Sequence, residues 1–214
     1  YFNDLPAFEG GADESVDEDG GTQTIKSWAT NISPGSPDES DQKLTFHLTT
    51  DYETLFAPDG SPAIDPDTGD LTYTPAENVY GRAQVTVILK DDGGTVCDQG
   101  AESRSQEFYI DVTSVNDAPR FTKGPDQTAS MNAGPQIVAG WATDIGPGAP
   151  NESYQTLSFH LTSDNDTLFS EGPEIDAITG NLSYTLAPDV LGTATVTVTL
   201  KDEGGIEDGG IDTS

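Results

Sequence analysis

Carboxylates dominate the side chains that could do chemistry in this chain: 38 Asp and Glu stand against 8 Lys and Arg in 214 residues, a formal net charge of -30. At that density close carboxylate pairs are unavoidable, so pairing alone does not mark a general acid and base, and no dyad stands above the background. His47 sits where Leu44, Phe46 and Leu48 alternate with Thr45 and Thr49, so the period of two puts its imidazole on the outer face of a strand. Cys97 is the single cysteine and lies in a Gly- and Asp-rich loop, which rules out an intrachain disulfide framework and reads as a free thiol. Asp65-x-Asp67-x-Gly69 has the outline of a cation loop but lacks the downstream glutamate, and its counterpart is Asp176-Ala-Ile-Thr-Gly180, so it reads as turn chemistry. Nothing marks an active site, and the chain is not expected to be an enzyme.

The acidity argues against nucleic acid and anionic membrane surfaces as partners and makes cations the natural counterpart. Two readings stay open: a solvated acidic surface, or a subset of carboxylates gathered around a cation. No apolar run approaches the roughly 18 residues of a membrane-spanning helix. The chain opens without an initiator Met or a signal peptide and starts inside a repeat, so it reads as an excerpt of a longer protein. Asn31-Ile-Ser, Asn151-Glu-Ser, Asn165-Asp-Thr and Asn181-Leu-Ser are formal N-glycosylation sequons, of which a Ser/Thr-rich chain produces several by chance. Trp28 and Trp141 could stack on a sugar, but their matching places beside apolar strands read as core or edge packing.

The elements that must position these groups are written twice. Ser114-Val-Asn-Asp-Ala-Pro-Arg-Phe121 echoes Tyr1-Phe-Asn-Asp-Leu-Pro-Ala-Phe8; Trp141 minus Trp28 and His160 minus His47 are both 113, while Gly180 minus Gly69 and Lys201 minus Lys90 are both 111. Trp28-Ala-Thr, Leu44-Thr-Phe-His-Leu-Thr and Leu89-Lys-Asp-Asp-Gly-Gly all recur, which makes this an internal repeat. The domains expected are 1–118, with an N-terminal linker remnant, and 119–214.

Within a repeat, residues 9–21 are acidic and glycine-rich and are not expected to pack a core. A first strand is predicted over Thr22 to Trp28, a loop over Asn31 to Asp41, a strand from Leu44, and a strand-turn-strand over Ala63 to Pro75 with Gly69 in the turn. Ala83 to Lys90 and Phe108 to Val112 complete the alternating set. Short strands joined by Gly, Pro, Asp and Ser turns, with no helical period, predict an antiparallel β-sandwich. In the second unit the closing strand, Gln106 to Val112 in the first, maps past Ser214 to positions 217–223. That leaves either a truncated edge or a strand contributed by another chain.

In this order, and twice, these motifs resemble the cadherin-like, immunoglobulin-like tandem repeats of giant bacterial extracellular proteins. The features that carry the resemblance are the linker Val115-Asn-Asp-Ala-Pro119, Trp-Ala-Thr-Asn/Asp, Ile64-Asp-x-x-Thr-Gly-x-Leu-x-Tyr73 and Leu-Lys-Asp-x-Gly-Gly. The resemblance implies two tandem immunoglobulin/cadherin-like antiparallel β-sandwiches, the second lacking its last strand here, used as stalks or adhesive arrays outside the cell. It also implies calcium at the junctions, an ion that takes about six to eight oxygen ligands. In cadherins these come from the base of one domain, the linker, and the top of the next. Carried over residue by residue, the base is Glu18 or Asp19 with Asn78, the linker is Asn116 and Asp117, and the top is Asp144 and Asp202. The junction upstream of the chain would use Asp4, Asn31 and Asp91 with Asn3. The linker is poorer in acid than that of cadherins and the Asp-Arg-Glu motif is missing, which implies one ion rather than three. At the base of the second unit the acidic stretch gives way to Ser130-Met-Asn-Ala133, so the downstream junction is expected to bind calcium more weakly and to hinge.

The function expected is therefore a structural and adhesive module of a long extracellular surface or filament protein, rigidified by calcium between repeats. Its partners are neighbouring repeats of the same protein, homophilic or filament contacts, and surface glycans. The alternative is a carbohydrate-binding module or the spacer of a secreted enzyme.

Overall fold

The structure is a computed structural model that describes residues 3–93 and 101–214; Cys97, with the rest of 94–100, and the first two residues lie outside it. The chain divides into two compact units, Tyr1–Ser114 and Val115–Ser214. Both are all-β, and no α-helix occurs among the described residues, only short 3-10 turns.

Unit 1 is a sandwich of two sheets. One sheet carries β2 (Glu14–Asp17), β9 (Gln106–Thr113), β8 (Gly81–Lys90) and β5 (Thr45–Thr50) in that order; the other carries β3 (Gln23–Ile25), β7 (Leu71–Tyr73) and β6 (Ala63–Ile64). A ribbon of β1 (Ala7–Glu9) with β4 (Thr30–Ser33) closes one side. The predicted alternation is what builds the core: Val85, Val87 and Leu89 of β8, Phe108, Ile110 and Val112 of β9, and Leu71 and Tyr73 of β7 are all buried in one cluster. His47 is exposed on β5, as the period required.

Two stretches differ from the sequence reading. The acidic segment 9–21 contains β2, which runs parallel to β9 with Val16 opposite Val112, and Glu18, the residue after the strand, is buried. An edge strand can be recruited by backbone pairing to an already ordered neighbour, so it needs little apolar alternation of its own. The stretch expected as a loop over 31–41 begins inside β4, which pairs with β1 through a register shift.

The strand-turn-strand around Gly69 forms as predicted. Asp65 Oδ1 accepts the amides of Asp67 and Thr68, both at 2.9 Å, and Gly69 takes φ +72. Asp176 does the same with Ile178 and Thr179 at 3.0 and 2.7 Å, and Gly180 takes φ +67. The Trp-Ala-Thr and Thr-Gly motifs prove to be one contact: Ala29 N donates to Gly69 O, and Ala142 N to Gly180 O, each at 2.9 Å. A Cβ on either glycine would run into that alanine carbonyl.

Unit 2 repeats the plan with fewer strands: β10 (Arg120–Thr122) pairs with β12 (Thr143–Gly146), β11 (Pro135–Val138) with β15 (Leu182–Leu186) and β14 (Phe169–Ile175), and β13 (Ser158–Ser163) with β16 (Val196–Lys201). Among its described residues no strand stands in the place of β2 or β9; β16 pairs with β13 and, at Lys201, meets Thr213 in a single antiparallel bridge.

Candidate metal centre

The linker residues and the loops at one end of each unit fold into a polar cluster, and the cluster is repeated. In unit 2, Asn116 lies against the turn that follows β16: its Nδ2 donates to Asp202 Oδ1 at 3.0 Å, to Ile211 O at 2.8 Å and to Gly205 O at 3.2 Å. Gln155 Nε2 donates to Asn116 Oδ1 at 2.8 Å. Glu152, only 2% exposed, spreads its carboxylate over two backbone amides, Asp117 N at 2.9 Å and Ala149 N at 3.2 Å. Gly204 N donates to Asp202 Oδ1 at 2.9 Å, and a Cβ on Gly204 would collide with the Asn116 carboxamide.

Unit 1 shows the same set at the positions 113 or 111 residues earlier, Asn116 − Asn3 = 113 and Asp202 − Asp91 = 111. Asn3 Nδ2 donates to Asp91 Oδ1 at 3.0 Å, Gln42 Nε2 to Asn3 Oδ1 at 2.8 Å, and Asp4 N and Ser36 N to Glu39 at 2.8 and 3.1 Å. Gly93 takes the place of Gly204, again with no room for a Cβ.

Each cluster leaves a polar debt of the same kind. Asp202 Oδ2 and Gln155 Oε1 are buried without a hydrogen-bond partner, and so are Asp91 Oδ2 and Gln42 Oε1. A buried oxygen without a donor costs about 1–3 kcal/mol, and more when it is charged. With 38 acids against 8 bases there is little cationic side chain to answer it. An all-oxygen donor set of carboxylates and amides suits a hard divalent cation such as calcium. Among the described residues no three His, Cys, Asp or Glu side chains already converge as a metal cage. The fit is therefore one of donor chemistry and of unsatisfied buried oxygens.

The other residues named from sequence fall as follows. Asp144 and Asn31 occupy matching places on β12 and β4, both with left-handed backbones at φ 52 and 51. Both are exposed: Asn31 Nδ2 donates to Glu9 at 2.9 Å, and Asp144 accepts the Thr143 hydroxyl at 3.4 Å. No hydrogen bond joins Asp144 to Asn116 or Asp202 among the described residues. At the opposite end of unit 1, Glu18 is 2% exposed and accepts Ser114 Oγ at 3.0 Å, while Asp19 Oδ1 accepts Asn78 N at 3.0 Å. The same contact recurs in unit 2 with its partners exchanged: Asn132 stands for Asp19 and Asp189 for Asn78, joined by two bonds of 2.9 and 3.0 Å. Glu18 becomes Met131 there, an exposed apolar side chain.

The sequence reading did not single out Glu152 and Gln155, or Glu39 and Gln42. Their signal was present: Pro-x-Glu-Ser-x-Gln recurs as residues 37–42 and 150–155 inside loops that otherwise diverge. A repeated Glu in a Pro-initiated turn is first read as a cap, which it is, and that role hid the second one.

Comparison with sequence families and with characterised proteins returns no match. Among solved structures the backbone is similar to human protocadherin-24 EC1-2, form II, at 17% identity over 99% of this chain and 94% of that one, with a TM-score of 0.47. It is also similar to chicken VE-cadherin EC1-2, at 12% identity over 94% and 93% of the two chains, with a TM-score of 0.32. The all-β architecture itself rests on the strand pairings described above.

Proposed function

We propose that the chain is a pair of structural, adhesive modules of a long extracellular surface or filament protein, each holding one calcium at its linker end. The observation that carries this reading is the repeated buried carboxylate, Asp91 and Asp202, with one oxygen paired to the linker Asn and the other left without a donor. Asn116, Asp117, Gln155 and Asp202 would hold the ion in unit 2, and Asn3, Asp4, Gln42 and Asp91 in unit 1, with Asp144 and Asn31 as ligands farther out. Glu152 and Glu39 would keep the linker backbone in place through the amides they already accept. Calcium would supply charge neutralisation and a cross-link between the linker and the turn after β16. Because the linker is itself a ligand, its stiffness would then depend on the ion. Replacement of Glu18 by Met131 leaves unit 2 poorer in acid at its own far end, which supports a weaker calcium step there. The partners under this reading are neighbouring repeats and further copies of the same surface.

The Trp28 ring, 4% exposed and packed 4.4 Å from the Phe108 ring, offers no face to a sugar, which weighs against the glycan-binding alternative.

The test is thermal unfolding of the 214-residue chain with and without millimolar calcium, with magnesium as control. A ligand that binds only the native state stabilises by about 2.7 kcal/mol at a hundredfold excess over its dissociation constant. A calcium-specific rise in Tm that disappears in the double variant Asp117→Ala, Asp202→Ala supports the site; no rise, or a rise that survives the double variant, removes it.

A further inference from the structure

In unit 1 the acidic, glycine-rich segment from Phe8 to Glu18 is fastened along β9 as a strap. Gln106, the first residue of β9, holds one end: its Nε2 donates to Phe8 O at 2.8 Å and its Oε1 accepts Gly10 N at 3.1 Å. Asp13 Oδ1 then accepts Tyr109 N at 2.9 Å, and Glu14, Ser15, Val16 and Asp17 pair in parallel with Ile110, Asp111, Val112 and Thr113. At the far end Glu18 N donates to Thr113 O at 2.8 Å, Thr113 Oγ1 to Asp17 Oδ1 at 2.6 Å, and Ser114 Oγ to Glu18 Oε1 at 3.0 Å. Trp28 pins the middle: its Nε1 donates to Ala12 O at 2.9 Å while its ring packs on Phe108 of β9. A Cβ on Gly11 would strike that indole, so glycine is what lets the strap lie so close to the core.

The direction of the strap gives these bonds a mechanical meaning. Because β2 and β9 run parallel, the chain enters beside Gln106 and leaves unit 1 past Thr113, at the opposite end of the same strand pair. A pull on the two ends therefore slides β2 and β9 past each other along their common axis. The bonds of a parallel ladder are evenly spaced, so they and the side-chain bonds that flank them are loaded together. A pull that separated the two strands from one end would instead break the bonds in turn. Upstream, β1 meets β4 at Ala7 and Glu9 with a register shift between them, so the continuous hold is the one on β9. Resistance to forced unfolding follows the barrier out of the native state, not the equilibrium stability, which is why the loading direction matters.

We infer that unit 1 is a tension-bearing module, in which the strap from Phe8 to Glu18, held in shear along β9, is the element that resists a pull along the chain. Gln106 and Asp13 extend the clamp beyond the four backbone pairs of β2, and Trp28 ties it to the core. This inference rests on the reading of the chain as part of a long surface or filament protein, since that is what puts a pull on both ends. It makes no use of calcium, because none of the strap bonds from Phe8 to Asp17 involves a proposed ligand.

The experiment is single-molecule force spectroscopy on the full 214-residue chain in chelator, with one handle at the amino terminus and the other on a cysteine placed in a Cys97→Ser background. Ala118→Cys, at an exposed linker position, pulls the strap in shear; Ser105→Cys, at an exposed position just before β9, pulls from the Gln106 end and peels it. The two chains should melt at the same temperature, yet unit 1 should give way at a several-fold higher force when pulled through Ala118 than through Ser105. Adding Gln106→Ala and Asp13→Ala should lower the shear force and leave the peeling force nearly unchanged. Equal forces in the two directions, or a shear force untouched by the paired Ala substitutions, overturns the proposal. The direction comparison needs neither Ala substitution, so it stands even if that variant folds poorly. Force asymmetry without any calcium effect on Tm would keep the clamp and remove the calcium site; a calcium effect without asymmetry would do the reverse.

Discussion

The Asn116 carboxamide donates to Asp202 Oδ1 at 3.0 Å, while Oδ2 of the same carboxylate lies buried with no donor. The two residues are 86 apart in sequence, and their pairing ties the linker to the turn after the last strand of unit 2. That half-satisfied carboxylate gives Asp202→Asn opposite effects in two conditions. Without calcium the change removes a buried charge one of whose oxygens has no donor and should leave Tm unchanged or raised; with calcium it should cut the calcium-induced rise by half or more. Paired melts in chelator and in calcium check both signs, and a variant that loses stability equally in the two media would speak against a cation at this position.

Gly204 sits where the Asn116 carboxamide passes over the backbone, so any Cβ must push the linker side chain away. Overpacking of this kind costs about 1–3 kcal/mol. Gly204→Ala should lower the stability of unit 2 by that amount and weaken the calcium response with it, measured by urea unfolding at fixed calcium. Gly93→Ala should do the same in unit 1.

Gly69 and Gly21 separate a conformational cost from a steric one. Both have left-handed backbones, φ +72 and +66, but a Cβ at Gly69 meets the Ala29 carbonyl while one at Gly21 meets nothing within 4 Å. Gly21→Ala should cost only the left-handed term, about 1–2 kcal/mol. Gly69→Ala should cost clearly more, because the hydrogen bond from Ala29 N to Gly69 O must also deform. Equal losses in equilibrium unfolding would show that the loop relaxes freely.

Tyr73 should make unit 1 sensitive to alkali. Burial, helped by the Glu14 carboxylate, pushes its phenol from 10.0 up to about 12. The folded pKa is above the unfolded one, so this contribution is fully present below about pH 10 and is lost as pH climbs through about 12. Urea midpoints measured across that window should fall, and Tyr73→Phe should flatten the fall, at the expense of whatever packing the hydroxyl provides.

How much of this was legible before folding differs by kind of feature. The strands of unit 1 were readable because Val85, Val87 and Leu89, like Phe108, Ile110 and Val112, alternate locally with polar residues, and a period of two needs no partner to be seen. β2 was not readable: in Glu14-Ser-Val-Asp17 only Val16 is apolar, and the strand exists because β9 offers it a parallel edge. The linker amide and carboxylates were named from their place around a repeated Pro, whereas Glu152 and Gln155 looked like loop and cap residues until the turn brought them beside Asn116 and Asp117.

By itself the sequence determined that one unit is written twice, that it is all-β, where its turns fall, and that oxygen donors crowd the linker. These follow from composition, local period and backbone chemistry, which act over a few residues. Tertiary structure decided which oxygen of Asp202 is left without a donor, which glutamate holds the linker, and that β2 joins the sheet as the parallel neighbour of β9. Those outcomes depend on contacts between segments tens of residues apart, whose geometry is fixed only when the sheets close on a common core.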